Sequence, residues 1–257
     1  MERERYEVRP YGKLRRAYAD VLEAGHRQHT IHGLIEVDVD RAWAASSRAE
    51  PPLSFTGYVA WCVARAVAED PMMHAHRWGR RRLVLFSDVD VNVQIEQVDP
   101  DGGRRVQSTI LRTANTKSVR DLSNEIRAAQ RITETDRERL RATTMIAALP
   151  RVVRRALWAV VMRRPHLSKR LGGTVAVSSV GMFGSSLGWG IPIAPAPLMV
   201  TVGGIGPRPV EVGDQWVSHD HLSLTISVDH DVIDGAPAAR FVRRLRELIE
   251  SGRGLDS

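Results

Sequence analysis

Residues 227–241, SVDHDVIDGAPAARF, place a histidine among carboxylates where an apolar run ends. Two aspartates flank His230, and Asp234 lies four residues after it. A histidine at the exit of a buried strand is held firmly, and nearby carboxylates can fix its tautomer and orientation, as a general base requires. Gly235 would let the backbone turn sharply here. The spacing predicts either a general base at His230 or a hydrogen-bonded core histidine at a strand end.

The elements around this motif alternate irregularly between helices and strands, which is typical of a mixed-sheet α/β domain. Apolar residues at helical spacing predict helices at 12–29, 57–70, 118–141 and 237–251. Ser118 is the predicted N-cap of the helix at 118–141. Alternating or apolar runs predict strands at 32–43, 81–99 (two strands, with a bend near 87–88), 105–113, 172–184, 196–210 and 222–227. A Gly-Gly turn is predicted at 102–103.

The composition fits one large globular domain, because 257 residues can bury a full core and 43% of them are hydrophobic. The single cysteine, Cys62, excludes a disulfide framework and a multi-cysteine metal site, and we predict no metal. The charged start MERERYEVRP is followed by no apolar signal region. No apolar run reaches the roughly 18 residues of a spanning helix. We therefore expect a cytoplasmic protein.

The net charge of +7 is compatible with an anionic partner such as nucleic acid, a membrane surface or a phosphorylated small molecule. Only three of the 37 basic residues are lysines, so arginine supplies nearly all of the charge. Abundant arginine together with abundant alanine is equally well explained by a GC-rich coding bias. We do not expect nucleic-acid binding, because neither an aromatic-interleaved basic stripe nor a helix-turn-helix pattern accompanies the charge.

The run DHDVIDGAPAARF resembles the His-x-x-x-Asp-Gly signature of the catalytic domain of 2-oxo acid dehydrogenase acyltransferases, whose fold chloramphenicol acetyltransferase shares. Other segments are similar to that domain in the same order: KLRRAYADVLEAG, PLSFTGYVAWCVARAVAEDP, DVNVQIEQ, TILRTANTKSVRDLSNEI, GGTVAVSSVGMFG and APLMVTVGGIGPRPV. The resemblance covers nearly all of residues 1–257. It implies a single chloramphenicol acetyltransferase-like α/β domain, a mixed-sheet sandwich with helices on the sheet.

The resemblance also implies a reaction and roles for three residues. His230 would be the general base that deprotonates the thiol of coenzyme A or dihydrolipoamide for attack on a thioester. Asp234 would support the site through a hydrogen bond or an ion pair. Ser178 would donate to the tetrahedral oxyanion, a contribution worth about 3–4 kcal/mol. Ser179 is the alternative if the alignment slips by one residue, and only one of the two serines can face the site because strand side chains alternate.

The resemblance also implies possible roles for two arginines of the first helix and an assembly state. Arg15 and Arg16 match basic positions of the family's first helix, where one could pair with Asp234 or meet a coenzyme A phosphate. A solvated helix face explains the two arginines equally well. The family forms homotrimers, with the histidine from one subunit and the serine from its neighbour. We therefore expect a homotrimer or a larger assembly of trimers that takes acyl-CoA as a substrate.

Two departures from the family concern the carrier and the histidine's neighbour. We find no lipoyl or subunit-binding domain in the sequence, so a lipoyl group is expected only on a separate carrier protein. The residue after the histidine is usually arginine in the dehydrogenase enzymes, and here it is Asp231. If Asp231 faced the site, its charge would raise the proton affinity of His230. If it pointed outward, the effect would be small.

A third departure is the basic amphipathic segment 143–171, which is longer than the family's connection. It could lie on an anionic membrane surface, with Trp158 at the interface, cover the channel mouth, dock a carrier protein, or pack as an extra helix hairpin. Pro150 and Pro165 bracket a helix of only about fourteen residues. Among the functional alternatives, this short length favours docking or gating.

These features together predict a stand-alone coenzyme A-dependent acyltransferase acting on a dihydrolipoyl-type thiol or another acceptor. A condensation-domain or plant-acyltransferase type of enzyme is a weaker alternative, because such proteins have two fused lobes. A non-catalytic trimeric scaffold that docks a carrier is the alternative from another class, although a scaffold has no physical need for a histidine at the channel. Trp189, Met182 and Phe183 could shape the acyl site or simply pack in the core.

Overall fold

A computed structural model describes residues 6–98, 104–131, 134–180 and 186–255, and its centre is a six-stranded mixed sheet in the order β1-β8-β7-β6-β4-β5. Strand β6 is parallel to both of its neighbours, and the other pairs are antiparallel. A separate hairpin contains β2 and β3. The strands are β1 (Thr30–Asp38), β2 (His76–Trp78), β3 (Arg82–Val84), β4 (Val91–Val98), β5 (Arg104–Leu111), β6 (Val175–Ser179), β7 (Leu198–Val212) and β8 (Gln215–Asp229).

Helices cover the sheet and extend beyond it. They are α1 (Lys13–Gly25), α2 (Asp40–Arg48), α3 (Phe55–Glu69), α4 (Val119–Gln130), α5 (Glu134–Ala148), α6 (Arg151–Arg163), α7 (Pro165–Gly172) and α8 (Gly235–Glu250). Helix α3 is apolar around most of its circumference, so it is buried, and α4 and α8 pack against it. No helix within the described ranges is long and apolar enough to cross a membrane.

The sheet has one apolar and one polar face, as β8 illustrates. Leu222, Leu224, Ile226 and Val228 belong to the hydrophobic core, whereas the alternate residues Ser223, Thr225, Ser227 and Asp229 are polar and also buried. A strand buried on both faces shows no alternation of exposure. The polar face is therefore covered as well, and its hydroxyl and carboxyl groups are held away from water.

Segment 186–197 covers part of this polar face. The Gly188 amide donates to Ser223 Oγ at 3.2 Å, and the Gly204 amide donates to the Gly188 carbonyl at 3.0 Å. A Cβ atom at Gly203 or Gly204 would overlap carbonyl oxygens of this segment. The two glycines thus allow the segment to cross directly over β7, where the strand also has a bulge.

Most predicted helices and strands are present, but two predictions were wrong. The strand predicted at 32–43 ends at Asp38, and helix α2 begins at Asp40, because the apolar alternation runs on to Val39 and hides the helix start. The helix predicted at 118–141 is two helices: Arg131 adopts an extended conformation that ends α4. Ser118 caps α4 as predicted, in a capping box with Asp121. The Gly-Gly turn at 102–103 lies outside the described residues.

The insert, residues 143–171, forms the end of α5, all of α6 and most of α7, and α5 and α6 pack against α1. Arg154 Nε donates to Asp20 Oδ2 at 2.6 Å, and both side chains are buried. Arg151 and Arg155 pair with Glu23 one turn further along α1. Three of the insert's arginines therefore fasten it to α1, as an extra helix hairpin packed on the domain would require.

Candidate active site

His230 lies in the turn between β8 and α8. The turn is fixed by backbone hydrogen bonds: the His230 amide donates to the His29 carbonyl at 2.8 Å, and the Val232 and Ile233 amides donate to the Asp229 carbonyl at 3.0 Å. The imidazole is 43% exposed. Within one chain the histidine is thus an accessible group on a hydrogen-bonded turn, and its side chain is not part of the core.

Asp234 and Gly235 follow His230 at the start of α8, and neither makes a hydrogen bond to the imidazole in one chain. Asp234 Oδ1 lies 3.8 Å from His230 Nδ1, beyond hydrogen-bond range, and the carboxylate is 87% exposed. Gly235 begins α8 with nothing near its missing side chain and without a positive φ. Among the described residues of one chain, nothing therefore requires a glycine at position 235.

The two aspartates that flank His230 face a different group of residues. Asp231 accepts a hydrogen bond from His29 Nδ1 at 2.9 Å and pairs with Arg77. The hydrogen bond from His29 and the charge of Arg77 hold the pKa of Asp231 below its usual range. Burial raises the pKa of Asp229, whose Oδ1 accepts from the Asp231 amide at 3.0 Å. The Asp231 carboxylate is therefore engaged by His29 and Arg77.

His29 and Arg77 are functional candidates that the sequence did not reveal. His29 lies between α1 and β1, and Arg77 lies in the separate β2–β3 hairpin. Neither is near the motif in sequence. Only the pairing of Thr30 with Asp229 brings the start of β1 beside the motif. A prediction of strand order β1-β8 would have been the one available signal for His29.

Ser178 lies on β6 within a row of hydroxyl groups on the polar face. It is in register with Thr201 on β7, and Thr201 is in register with Thr225 on β8. Ser178 is buried, and the Oγ1 atoms of both threonines are buried without a hydrogen-bond partner among the described residues. Ser179 points to the opposite side of the sheet from Ser178 because adjacent residues in a strand alternate. The two candidate serines thus face different environments.

One chain does not bring His230 and Ser178 together. Thr225, the residue of β8 level with Ser178, precedes His230 by five positions and lies two strands from β6. At about 3.3 Å per residue along a strand and about 4.8 Å between strands, the two Cα atoms are roughly 20 Å apart. That separation is too large for both side chains to contact one reacting thioester.

The remaining predicted site residues lie apart from His230. Arg15 and Arg16 are exposed on α1, and neither forms an ion pair within the described part of the chain. The expected pairing with Asp234 is therefore not observed in a single chain. Trp189 Nε1 donates to the Ile35 carbonyl at 3.1 Å, so this ring is fixed against β1. Met182 and Phe183 lie outside the described residues.

A cavity of about 330 Å³ lies behind the histidine turn, between α1, α6, the β2–β3 hairpin and the end of β8. Its wall at the turn is formed by Asp229 and Asp231. The insert supplies the opposite wall through Trp158 and Met162, with Arg155 beside them. The inner side of α6 therefore forms one wall of a cavity next to the motif.

A further carboxylate and imidazole cluster lies at the far end of β8. Ligand atoms of Asp38, Asp40 and His219 lie within 4.8 Å of one another, as a cation would need. Protein groups already use these atoms: His219 Nδ1 donates to Asp38 at 2.5 Å, and the Asp220 amide donates to Asp40 at 2.7 Å. The hydrogen bond to Asp38 raises the pKa of His219.

Residues 153–255 match the family model of the 2-oxoacid dehydrogenases acyltransferase (catalytic domain). The structure superposes on that of Azotobacter vinelandii dihydrolipoamide acetyltransferase with a TM-score of 0.72 and 21% identity, covering 99% of this chain and 96% of the other. The chain has the fold of an acyltransferase core. This confirms the predicted resemblance and fold class, and the matched residues include both Ser178 and His230.

Two curated proteins are also similar to this chain in sequence. The dihydrolipoyllysine-residue acetyltransferase of the Mycoplasma pneumoniae pyruvate dehydrogenase complex is 27% identical over 206 residues, 80% of this chain and 44% of the relative. The mitochondrial dihydrolipoyllysine-residue succinyltransferase of Saccharomyces cerevisiae is 37% identical over 87 residues, 34% of this chain and 19% of the relative. The chain thus spans less than half the length of either relative.

Proposed function

We propose that this chain catalyses acyl transfer between coenzyme A and a dihydrolipoyl-type thiol, with His230 as the general base. Asp234 lies near Nδ1 of the imidazole, which leaves Nε2 to take the proton from the attacking thiol. The thiolate then attacks the thioester carbon, and Ser178 donates a hydrogen bond to the oxyanion that forms. Collapse of the tetrahedral intermediate expels the second thiolate, which recovers the proton from the imidazolium.

The spacing of the site residues is the observation that carries this proposal. In the A. vinelandii enzyme, a serine, a histidine and an asparagine were investigated for their role in the catalytic mechanism, with the serine 52 residues before the histidine and the asparagine four after it. Ser178 and Asp234 stand at the same separations from His230. This agreement supports Ser178 over Ser179. It also marks one difference, since a carboxylate replaces the amide four residues after the histidine.

We propose that each site is shared between two subunits of a homotrimer. The roughly 20 Å between His230 and Ser178 in one chain would then be bridged by a neighbour, with the histidine of one subunit facing the serine of the next. A head-to-tail contact of this kind closes into a ring with one site at each interface. Coenzyme A would be a substrate, and the lipoyl group would arrive on a separate carrier.

The acyl group follows from neither the fold nor the relatives, because the relatives' names include both an acetyltransferase and a succinyltransferase. The proposal is therefore tested with a panel of acyl-CoA donors and dihydrolipoamide, with the products followed by mass spectrometry. A donor that gives acyl-dihydrolipoamide with the purified protein would establish the reaction and name the acyl class. No transfer from any donor by a folded trimer would contradict the thiol-to-thiol reaction and favour the carrier-docking scaffold.

The adjacent serines provide a matched pair of variants for the oxyanion role. Ser178→Ala is expected to lower kcat by about 100-fold to 1,000-fold, because it removes one donor to the oxyanion. Ser179→Ala changes the same atoms on the opposite side of the strand and is expected to leave kcat within about threefold. Equal effects of the two substitutions would contradict the assignment of Ser178.

A further inference from the structure

The insert has an inner and an outer side, and the outer side is apolar. Six large apolar residues of α5 and α6 are between 42% and 78% exposed: Met145, Ile146, Val152, Val153, Leu157 and Val160. We call these six residues the outer face. Val153, Leu157 and Val160 follow helical spacing, so they lie along one side of α6. A row of exposed apolar side chains along one helix of a folded domain is typical of an interaction site.

The charge around the outer face has one sign only. Residues 141–172 contain eight arginines or lysines and no aspartate or glutamate. Several of these cations are paired with acids of other elements, as Arg154 is with Asp20. Arg163 and Arg164, at the end of α6, are exposed and form no ion pair with any residue in the described ranges, and Arg163 also lies at the edge of the cavity on the inner side. Free cations therefore adjoin the apolar stripe, as they do in helices that lie on anionic membranes.

From this arrangement we propose that the outer face binds the surface of an anionic lipid membrane, with the apolar residues entering the interface and Arg163 and Arg164 near the phosphates. The inference does not depend on the proposed transfer chemistry. The buried pair of Arg154 and Asp20 holds α6 against α1, so the face is presented already formed. The same helix walls the cavity behind the histidine turn, so binding would bring that cavity close to the lipid.

Charge and composition favour a membrane over the other occupants. A two-fold contact of this face with itself would bring the cations of both segments together without any acid from 141–172 to compensate. Nucleic acid would satisfy the arginines but gives no reason for six exposed aliphatic side chains. A bilayer satisfies both features, because it accepts apolar side chains below a layer of phosphates.

The test is flotation of the full chain with phosphatidylcholine vesicles that contain or lack phosphatidylglycerol. We expect binding to the anionic vesicles only, with weakening in high salt. The substitutions Val153→Asp and Leu157→Asp together should reduce the partition coefficient at least tenfold. The pair Arg163→Glu and Arg164→Glu should reduce it by at least about 25-fold, since each arginine near such a surface contributes about fivefold.

Matched controls separate a specific face from the net charge. Val106→Asp changes another exposed apolar residue, on the edge strand β5, and Arg240→Glu with Arg243→Glu reverses two exposed arginines on α8. The partition coefficients of these control variants are expected to stay within about twofold of the parent's, once the general effect of their lower net charge is subtracted. Circular dichroism checks that each variant is folded. Failure of the parent to bind, or equal losses in outer-face and control variants, would overturn the proposal. So would a smaller oligomer in Leu157→Asp, which would identify a second copy as the occupant.

Discussion

A mixture of two inactive variants tests whether His230 and Ser178 act across a subunit interface. His230→Ala should lose about 100-fold to 10,000-fold of the activity, and Ser178→Ala about 100-fold to 1,000-fold. If both residues belonged to one chain's site, a mixture would stay inactive. The roughly 20 Å between them in one chain predicts that mixed trimers regain activity instead.

The recovery can be calculated from the geometry of a closed ring. An interface is active when its histidine comes from the Ser178→Ala chain and its serine comes from the His230→Ala chain. With equal amounts and random assembly, about one interface in four meets this condition. Trimers that contain both variants have one such interface among their three, so variants co-expressed with different tags, isolated as mixed trimers and assayed for acyl transfer should give about a third of the parent activity.

A second mixture uses the double variant, His230→Ala with Ser178→Ala, combined equally with the parent chain. Shared sites predict about a quarter of the parent activity, because both neighbours must be intact, whereas sites within one chain predict about half. Mass spectrometry of the isolated trimers checks that the chains have mixed. Inactive mixed trimers in the first experiment, or half activity in the second, would refute the shared site.

Three further predictions concern stability, measured as the free energy of unfolding in urea. Burial lowers the pKa of His74 from 6.5 to about 4, so the unfolded chain takes up this proton first as the pH falls and stability is lost between those values. His74→Gln should therefore lose about 2 kcal/mol less than the parent between pH 7 and pH 5. Arg154→Met leaves the buried Asp20 with only the more distant Arg151, at 3.9 Å, and should cost about 3–5 kcal/mol, most of which Asp20→Leu should restore. Thr201→Val replaces a buried hydroxyl that has no partner in the described part of the chain, so it should be neutral or stabilising by about 1 kcal/mol.

Each of these stability predictions has a result that would contradict it. An unchanged pH dependence in His74→Gln would show that this histidine is not the group that resists protonation. A cost below about 1 kcal/mol for Arg154→Met would mean that the pair is solvated rather than buried. A loss above about 1 kcal/mol for Thr201→Val would show that the hydroxyl has a partner, and Thr225→Val is the matched comparison because its hydroxyl is equally buried and unpaired.

The local parts of this fold were predictable from the sequence because short-range patterns determine them. The buried helix α3, the capping box at Ser118 and the turn after β8 each depend on residues within a few positions of one another. The start of α2 was missed for the same reason, since the strand pattern before it runs on to Val39. Local patterns therefore predicted the elements well and their boundaries less well.

The site itself required information that no local pattern holds. Asp231 is engaged by His29 and Arg77, which come from two distant segments that only the sheet order and the hairpin bring together. The separation of Ser178 from His230 became measurable only with the register of β6, β7 and β8. The orientation of α6 likewise depends on a pairing with α1 that sequence spacing does not encode. Resemblance to the acyltransferase family supplied the residue roles in advance of any of these contacts.

The most direct test of the central claim is the kcat/KM for acyl transfer from acyl-CoA to dihydrolipoamide, compared between the parent protein and His230→Ala. The account predicts measurable transfer by the parent and a fall of about 100-fold to 10,000-fold in the variant, as removal of a general base should give. A His230→Ala trimer that is folded and retains activity within about threefold of the parent would contradict it.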